Sequence, residues 1–584
     1  MTEALNVSIE TIVPDLDRLA EQSMADWKVP GVALAVVQDG RVTLTRAYGL
    51  RDIEANLPVT SQTQFVICSI TKSFTATAVA LLHNEQRLDW TKPVRDYLPE
   101  FRLHDPIATD RVTIQDLLCH QSGLPRHDWV HLPGDRSPAE LLAPMRYLEA
   151  SSDIRGAWQY NNLGYNAAGL VIERVSGQSY ETFIRSRLAD RLKMIVGFSL
   201  DDLEGAAEAA RPYMMDADTR LPGLRLPIRT TAAGAINSSV ADLANWMRLH
   251  LGRGEVDGDR LLPATLIDEL HKPRIYTGAS SEAEFGHSHY GLGFQSQTYR
   301  GDRLASHSGG WNGWSTLMTL VPDHGIGVAV LSNRSPSSVP PLLTWYVLDR
   351  LRDREPVDWH ARLLKQRNEI LAHMDADKDA RETSRRKNTR PAHALAAYAA
   401  DYDNPAYGLM SIREQGDILQ WSWRGMAAAM KHRHFETFEL PKAPDRLLPD
   451  ELTITFRTDR DGNIVSLSAP LEPMVKDIVF TRRASGDCTD PAFRARCVGR
   501  FRREATHRVT LDAQGRLVLK PDNQPAYRLE PLQGRRFRIV ELEGFVVEFE
   551  GHDDSITEII FHQPNGTFVA ERVADESGGE PDGA

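Results

Sequence analysis

At 584 residues, with 41% hydrophobic and 25% charged side chains, the chain has the balance of a globular protein and the length of several domains, about four at ordinary domain size. A net charge of −12, from 80 acidic against 68 basic residues, argues against electrostatic capture by nucleic acid or an anionic membrane surface. Four scattered cysteines, Cys68, Cys119, Cys488 and Cys497, make neither a disulfide scaffold nor the CxxC pairs of a zinc site, and read as buried small hydrophobes.

Met1 to Val13 has no basic stretch followed by an apolar run, and no later segment reaches transmembrane length, so a cytoplasmic location is expected. Leu16 to Trp27 has helical apolar spacing and runs into Val32 to Val37, which with Asp39-Gly40 and Arg41 to Ala47 forms a hairpin signal. From Ser69 to Leu200 the pattern is mostly helical. Leu317 to Val321 and Ile326 to Leu331, joined by Pro322-Asp323-His324-Gly325, read as a second hairpin. An antiparallel sheet built from both ends of a domain, with helices from its middle, is the simplest arrangement. A helix is expected near Leu342 to Leu351. Beyond it the chain turns charged and irregular, notably from Asp375 to Arg390, and Pro391 opens a different texture.

The second half alternates short apolar segments, such as Ile418 to Trp423, Leu452 to Arg457 and Arg536 to Phe549, with Gly, Asp and Asn turns, an all-β pattern. It carries a weak repeat. Tyr402 precedes Gly416, and Phe501 precedes Gly515, by the same fourteen positions, which predicts two successive barrels. Ala574 to Ala584 is acidic and Gly-rich, the composition of a disordered tail.

Three short patterns carry chemistry. Ser69-Ile70-Thr71-Lys72 opens an apolar helical run and sets a hydroxyl and an amine one turn apart. A lysine kept neutral by desolvation can take the serine proton. In Tyr160-Asn161-Asn162 a phenol can relay that proton while the Asn162 amide orients Lys72 and the substrate. In His307-Ser308-Gly309-Gly310 the glycines let a substrate lie along an edge strand, and the Gly310 N–H with that of Ser69 can form an oxyanion hole. Each pattern has a chance twin, Ser384 to Lys387, Tyr402-Asp403-Asn404 and His289-Tyr290-Gly291 respectively, so their order along the chain is what is informative. His120 reads as a structural hydrogen-bonding histidine. The pairs His287 with His289 and His432 with His434 lack a third ligand, and no Walker A loop, dinucleotide fingerprint or G-x-S-x-G elbow occurs, so neither metal nor cofactor is expected.

The ordered set, with its flanks VTIQDLLCHQSGLP (112–125), YNNLGYNAAGLVIERVSG (160–177) and 307–333, resembles the SxxK hydrolases: penicillin-binding proteins, class C β-lactamases, esterases and D-aminopeptidases. The resemblance covers about the first 350 residues. It implies an α+β fold, a β-lactamase/transpeptidase-like catalytic domain followed here by two antiparallel, lipocalin-like β-barrels. The expected boundaries are 1–355 for the catalytic domain, 356–392 for a linker, 393–485 and 490–573 for the barrels, and 574–584 for the tail. It also implies a serine hydrolase with Ser69 as nucleophile, Lys72 and Tyr160 as the acid/base pair, and Asn162, His307, Gly309 and Gly310 at the substrate and oxyanion site. Which of Lys72 and Tyr160 takes the first proton stays open.

Penicillin-recognising members usually begin the third motif with lysine, a permanent cation suited to a carboxylate. Here it begins with His307, largely neutral at pH 7, which disfavours carboxypeptidase and β-lactamase action. Histidine at this position and the two barrels resemble the D-aminopeptidase branch, where a loop from the last domain reaches the active site. The expectation is a peptidase or amidase on short peptides, including ones with D-residues. An esterase of the same fold, a penicillin-binding or β-lactamase activity, and an idle ligand-binding protein are the alternatives. A small molecule or short peptide is the expected partner, nucleic acid and membrane are not, and a homo-oligomer is left open.

Overall fold

The computed structural model describes residues 8–216, 219–224, 226–441, 452–552 and 555–574. Apart from Ala574, the tail expected at 574–584 lies outside the described residues. Its first part is built on a nine-stranded antiparallel sheet. The strands are β1 (Gly31–Gln38), β2 (Arg41–Asp52), β3 (Leu57–Pro58), β4 (Ile275–Gly278), β5 (Ser288–Tyr290), β6 (Gln295–Tyr299), β7 (Asp302–Trp311), β8 (Trp314–Val321) and β9 (Ile326–Ser332). Their order is β4-β5-β6-β7-β8-β9-β1-β2-β3, so the two ends of the domain meet where β9 pairs with β1.

Strand β1 reads GVALAVVQ, apolar on both faces, and therefore needs cover on both. Val32, Leu34 and Val36 join Ile12, Leu16 and Ala20 of helix α1 (Ile9–Asp26) in one core. Ala33, Ala35 and Val37 join the other, with Phe74, Ala78 and Val79 of helix α2 (Thr71–Asn84) and Leu163, Ala167 and Val171 of helix α3 (Asn162–Ser176). Each large apolar side chain so buried contributes roughly 1.5–3 kcal/mol. The β1–β2 turn holds Asp39 at φ 48° and Gly40 at φ 75°, the two positive dihedrals that match a tight hairpin to strand twist. Both expected hairpins and the helix after the second, α4 (Val339–Leu351), are present.

The charged stretch expected to be irregular is mostly helical: α5 runs Trp359–Ser384. Its sequence contains no Pro or Gly and is rich in Ala, Leu, Glu, Lys and Arg, good helix formers, but it is exposed nearly throughout and so carries no apolar stripe to betray it. Its ends are pinned, His360 to Asp26 at 3.0 Å at one end, and at the other Arg433 to the carbonyl of Arg381.

Two closed eight-stranded barrels follow, from Ala400–Asn404 to Ile478–Arg482 and from Gly499–Arg502 to Gly566–Val573. The repeat is structural. Tyr402 and Phe501 are fully buried on the first strand of each barrel, and Gly416 and Gly515, at φ 61° and 71°, turn the chain between its second and third strands. The first barrel sits on the catalytic domain. His127 Nδ1 lies 2.7 Å from Tyr407 Oη, the His127 N–H donates to Glu472 Oε2 at 2.7 Å, and Arg424 pairs with Asp135 while donating to the carbonyls of Trp129 (2.6 Å) and Val130 (3.0 Å). No helix among the described residues is long and apolar enough to cross a membrane.

Candidate active site

Ser69 lies in the 3-10 turn Cys68–Ile70 that leads into α2. Cys68, just before it, is held at φ 52°, a left-handed conformation that a side-chain-bearing residue adopts at a cost. All four cysteines are buried and unpaired, as expected.

One helical turn on, Lys72 is fully buried. Its Nζ stands 3.0 Å from Ser69 Oγ, 2.9 Å from Asn162 Oδ1 and 2.8 Å from the Ala233 carbonyl. Burial, and after it the positive field of Arg126, push the Lys72 pKa well below the usual lysine range. A neutral amine has two N–H donors and one lone pair. Asn162 Oδ1 and the Ala233 carbonyl can only accept, so they take both donors, and the lone pair is left for the Ser69 hydroxyl proton.

Tyr160 Oη donates to Ser69 Oγ at 2.8 Å. Burial raises the Tyr160 pKa, outweighing the opposing hydrogen bond to Ser69 and the charge of Arg126, so the phenol keeps its proton. Of the two partners of Ser69, Lys72 is therefore the one suited to accept a proton and Tyr160 the one suited to give one.

The Asn162 amide is oriented from behind. Its Nδ2 donates to Asp128 Oδ1 at 3.1 Å, which turns Oδ1 toward Lys72. Burial works against the charge of Asp128, but hydrogen bonds and charge from His131 (3.0 Å) and Arg126 (2.6 Å) prevail and hold its carboxyl well below the ordinary range. Sequence reasoning missed Arg126, Asp128 and His131. The only available signal was their position directly after the family-like segment ending at Pro125.

His307 is buried on β7. Its Nδ1 lies 2.6 Å from the Ser308 carbonyl, so that nitrogen donates, and Nε2 accepts from Tyr290 Oη at 2.7 Å. Burial depresses its pKa to about 3, so His307 is a neutral polar wall and not a cation. Tyr290, within the His289-Tyr290-Gly291 segment read as a chance match, belongs to the site. His120 takes its expected structural part, its Nδ1 accepting from the Asn161 N–H at 3.1 Å.

Strand β6 pairs with β7 only as far as Ser306, so from His307 to Trp311 the β7 edge facing the cleft is unpaired. The two glycines there have different reasons to be glycine. A Cβ on Gly309 would meet the Ile67 carbonyl at 2.5 Å and Cys68 Cβ at 2.8 Å, so this residue lets β7 pack against the Ser69 turn. A Cβ on Gly310 would meet nothing within 4 Å. Ser69, Tyr160, His307 and Gly310 share a cleft of about 600 Å³ with Arg126, Trp158 and Tyr290, and Met474 of the first barrel completes its wall. Two of the three chance twins lie elsewhere: Ser384 ends helix α5, and Tyr402 is interior to a barrel.

The sequence profile of the Beta-lactamase family matches residues 16–352. The chain belongs to the beta-lactamase family. A second profile, Domain of unknown function (DUF3471), matches residues 384–482, the first barrel. Among curated relatives, Unguisins hydrolase ungD' of Aspergillus campestris (strain IBT 28561) is 30% identical over 433 residues, covering 68% of this chain and 77% of the relative. Protein flp of Staphylococcus aureus (strain NCTC 8325 / PS 47) is 24% identical over 333 residues, covering 56% of this chain and 64% of that protein. The octameric penicillin-binding protein homologue from Pyrococcus abyssi shares the fold, with a TM-score of 0.54 at 24% identity over 80% of this chain and 100% of that one. Within the beta-lactamase family, this chain is a serine hydrolase.

Proposed function

We propose that the protein is an acyl-serine peptidase or amidase acting on short peptides, D-residue-containing ones included. The observation that carries this reading is the division of labour around Ser69: a base on one side at 3.0 Å and a protonated phenol on the other at 2.8 Å. Ser69 Oγ attacks the carbonyl carbon as its proton passes to Lys72 Nζ. The oxyanion is received by the backbone N–H groups of Ser69 and Gly310. The C–N bond then breaks as the leaving nitrogen takes a proton from Tyr160, which is resupplied from Lys72, and water releases the acyl group through the same set. An ester needs less leaving-group protonation, whereas an amine is too poor a leaving group without a donor.

Two features support the choice of substrate. A neutral His307 offers no permanent charge to a β-lactam or C-terminal carboxylate. Histidine in this motif, and a catalytic domain followed by two barrels, resemble the D-aminopeptidase branch. Assay of D-alanine p-nitroanilide and D-amino-acid amides beside p-nitrophenyl butyrate, with intact-mass detection of the acyl adduct, tests the reading. Release of the N-terminal residue and an adduct on Ser69 are expected. Esterase activity with silence on every peptide amide would refute the peptidase part.

A further inference from the structure

The two barrels share a strand plan, so their interiors can be compared position by position. In the first, Tyr402 pairs with Met410 on one side and Arg482 on the other, and Met410 pairs with Trp423. In the second, Phe501 pairs with His507 and Arg572, and His507 pairs with Pro521. His507 and Pro521 thus stand where the first barrel has Met410 and Trp423. Two residues before the paired arginines, one inward-facing step along the strand, Ala570 stands where the first barrel has Phe480.

In the first barrel this layer is solid. Met410, Trp423 and Phe480 are buried, the Trp423 and Phe480 rings lie 6.3 Å apart, and the catalytic domain closes the end with Trp129, 5.9 Å from Trp423. In the second, the exchanges Trp to Pro and Phe to Ala remove most of the filling. A cavity of about 320 Å³ opens in the corresponding mouth, within the range of small-molecule pockets. Leu519, Ile539 and Phe561 line it deep inside, and the half-buried rings of Tyr527, Phe545 and Phe568 stand around its opening. His507 Nδ1 is buried among them without a hydrogen-bond partner. At the rim the Arg503 guanidinium sits 4.7 Å over the Phe568 ring.

We propose that the mouth of the second barrel is a binding site for a small aromatic carboxylate, its ring in the space that Trp423 and Phe480 fill in the first barrel. The ring replaces the missing layer, a polar group on it can meet His507 Nδ1, and the carboxylate stays at the rim with Arg503, which an eight-stranded barrel with an unfilled end can accommodate. The site is separate from Ser69 and does not depend on the proposed peptidase activity.

Calorimetric titration of the full-length protein with indole-3-acetate tests this. One saturable site per chain is expected, weakened at least about tenfold by Ala570→Phe, which rebuilds the filled layer, with hydrolysis of p-nitrophenyl butyrate unchanged. His507→Met serves the same purpose if Ala570→Phe does not fold. Tryptamine, with the ring but the opposite charge, should bind more weakly. The proposal is overturned by absence of saturable binding, by binding to the folded variant as tight as to the wild type, or by binding lost only when Ser69 is acylated. It is equally overturned if the wild type self-associates through this mouth, shown by dispersal of an oligomer on Tyr527→Arg without any binding of indole-3-acetate.

Discussion

Replacing the two glycines of β7 one at a time separates packing from access. Gly309→Ala places a methyl 2.5 Å from the Ile67 carbonyl, and reaching even 3.0 Å requires strand and turn to part by at least 0.5 Å. The obstacle is backbone, two residues before Ser69, and cannot rotate away. The neighbouring Thr316 Oγ1, 2.2 Å from the new methyl, donates to that same carbonyl at 3.0 Å, so moving it breaks a buried hydrogen bond. Overpacking of this kind costs about 1–3 kcal/mol. Displacing a reacting group by a fraction of an ångström to 1 Å can lower the rate up to about a hundredfold. Gly310→Ala meets open space and should change stability by less than about 0.5 kcal/mol. The assay is urea unfolding of each variant beside the rate of acyl-adduct formation by mass spectrometry. Equal behaviour of the two variants, or a Gly309→Ala protein as stable and fast as the parent, would refute the assignment of Gly309 to the contact between β7 and the nucleophile turn.

Ser69→Ala is expected to abolish acylation, and adding Lys72→Ala to cost little further activity, because residues that share one proton transfer fail as a unit; strongly additive losses would contradict that. Lys72 is a base only when neutral, so kcat/KM should rise as pH climbs through its depressed pKa and be lost below it. Arg126→Gln removes a neighbouring positive charge, raises the Lys72 pKa and moves this acid limb to higher pH. A pH–rate profile whose limb stays put or moves down speaks against Lys72 as the base. His307, with its pKa near 3, should add no inflection between about pH 5 and 9.

Much of the site was legible because its residues come in short patterns on elements with strong local signals. The Ser69 and Lys72 spacing lies at the head of an apolar helix, Asn162 opens another, and His307 to Gly310 lie on a strand leading into a hairpin. What was not legible is held by tertiary contact. Asp128 reaches Asn162 from a loop with no periodicity, and nothing in Arg126-His127-Asp128 announces that two charged side chains will orient an amide 34 positions away. Tyr290 was hidden in a three-letter coincidence, and it became a site residue only because β5 lies two strands from β7. Helix α5 was missed because its solvated surface has helical propensity but no apolar rhythm.

The placement of the first barrel gives a physical reason for a hydrolase of this fold to carry it. The loop from Arg126 to Arg136 holds the groups that orient Asn162, and it is tied down from the first barrel as well as from within the catalytic domain. Glu472 accepts from the His127 N–H, Tyr407 meets the His127 ring, Arg424 gathers two carbonyls and Asp135, and Arg136 donates to the Ala406 carbonyl at 2.7 Å. Asp128 sits within that clamp, one residue from His127. A carboxylate kept charged while largely buried must have its partners fixed, since a loosened His131 or Arg126 would leave it paying the burial cost alone. The barrel therefore acts on the chemistry through four links: clamp to loop, loop to Asp128, Asp128 to Asn162, and Asn162 to the Lys72 amine. Met474 of the same barrel lines the cleft that holds Ser69 and Tyr160, so the module that clamps the loop also forms part of the cleft wall.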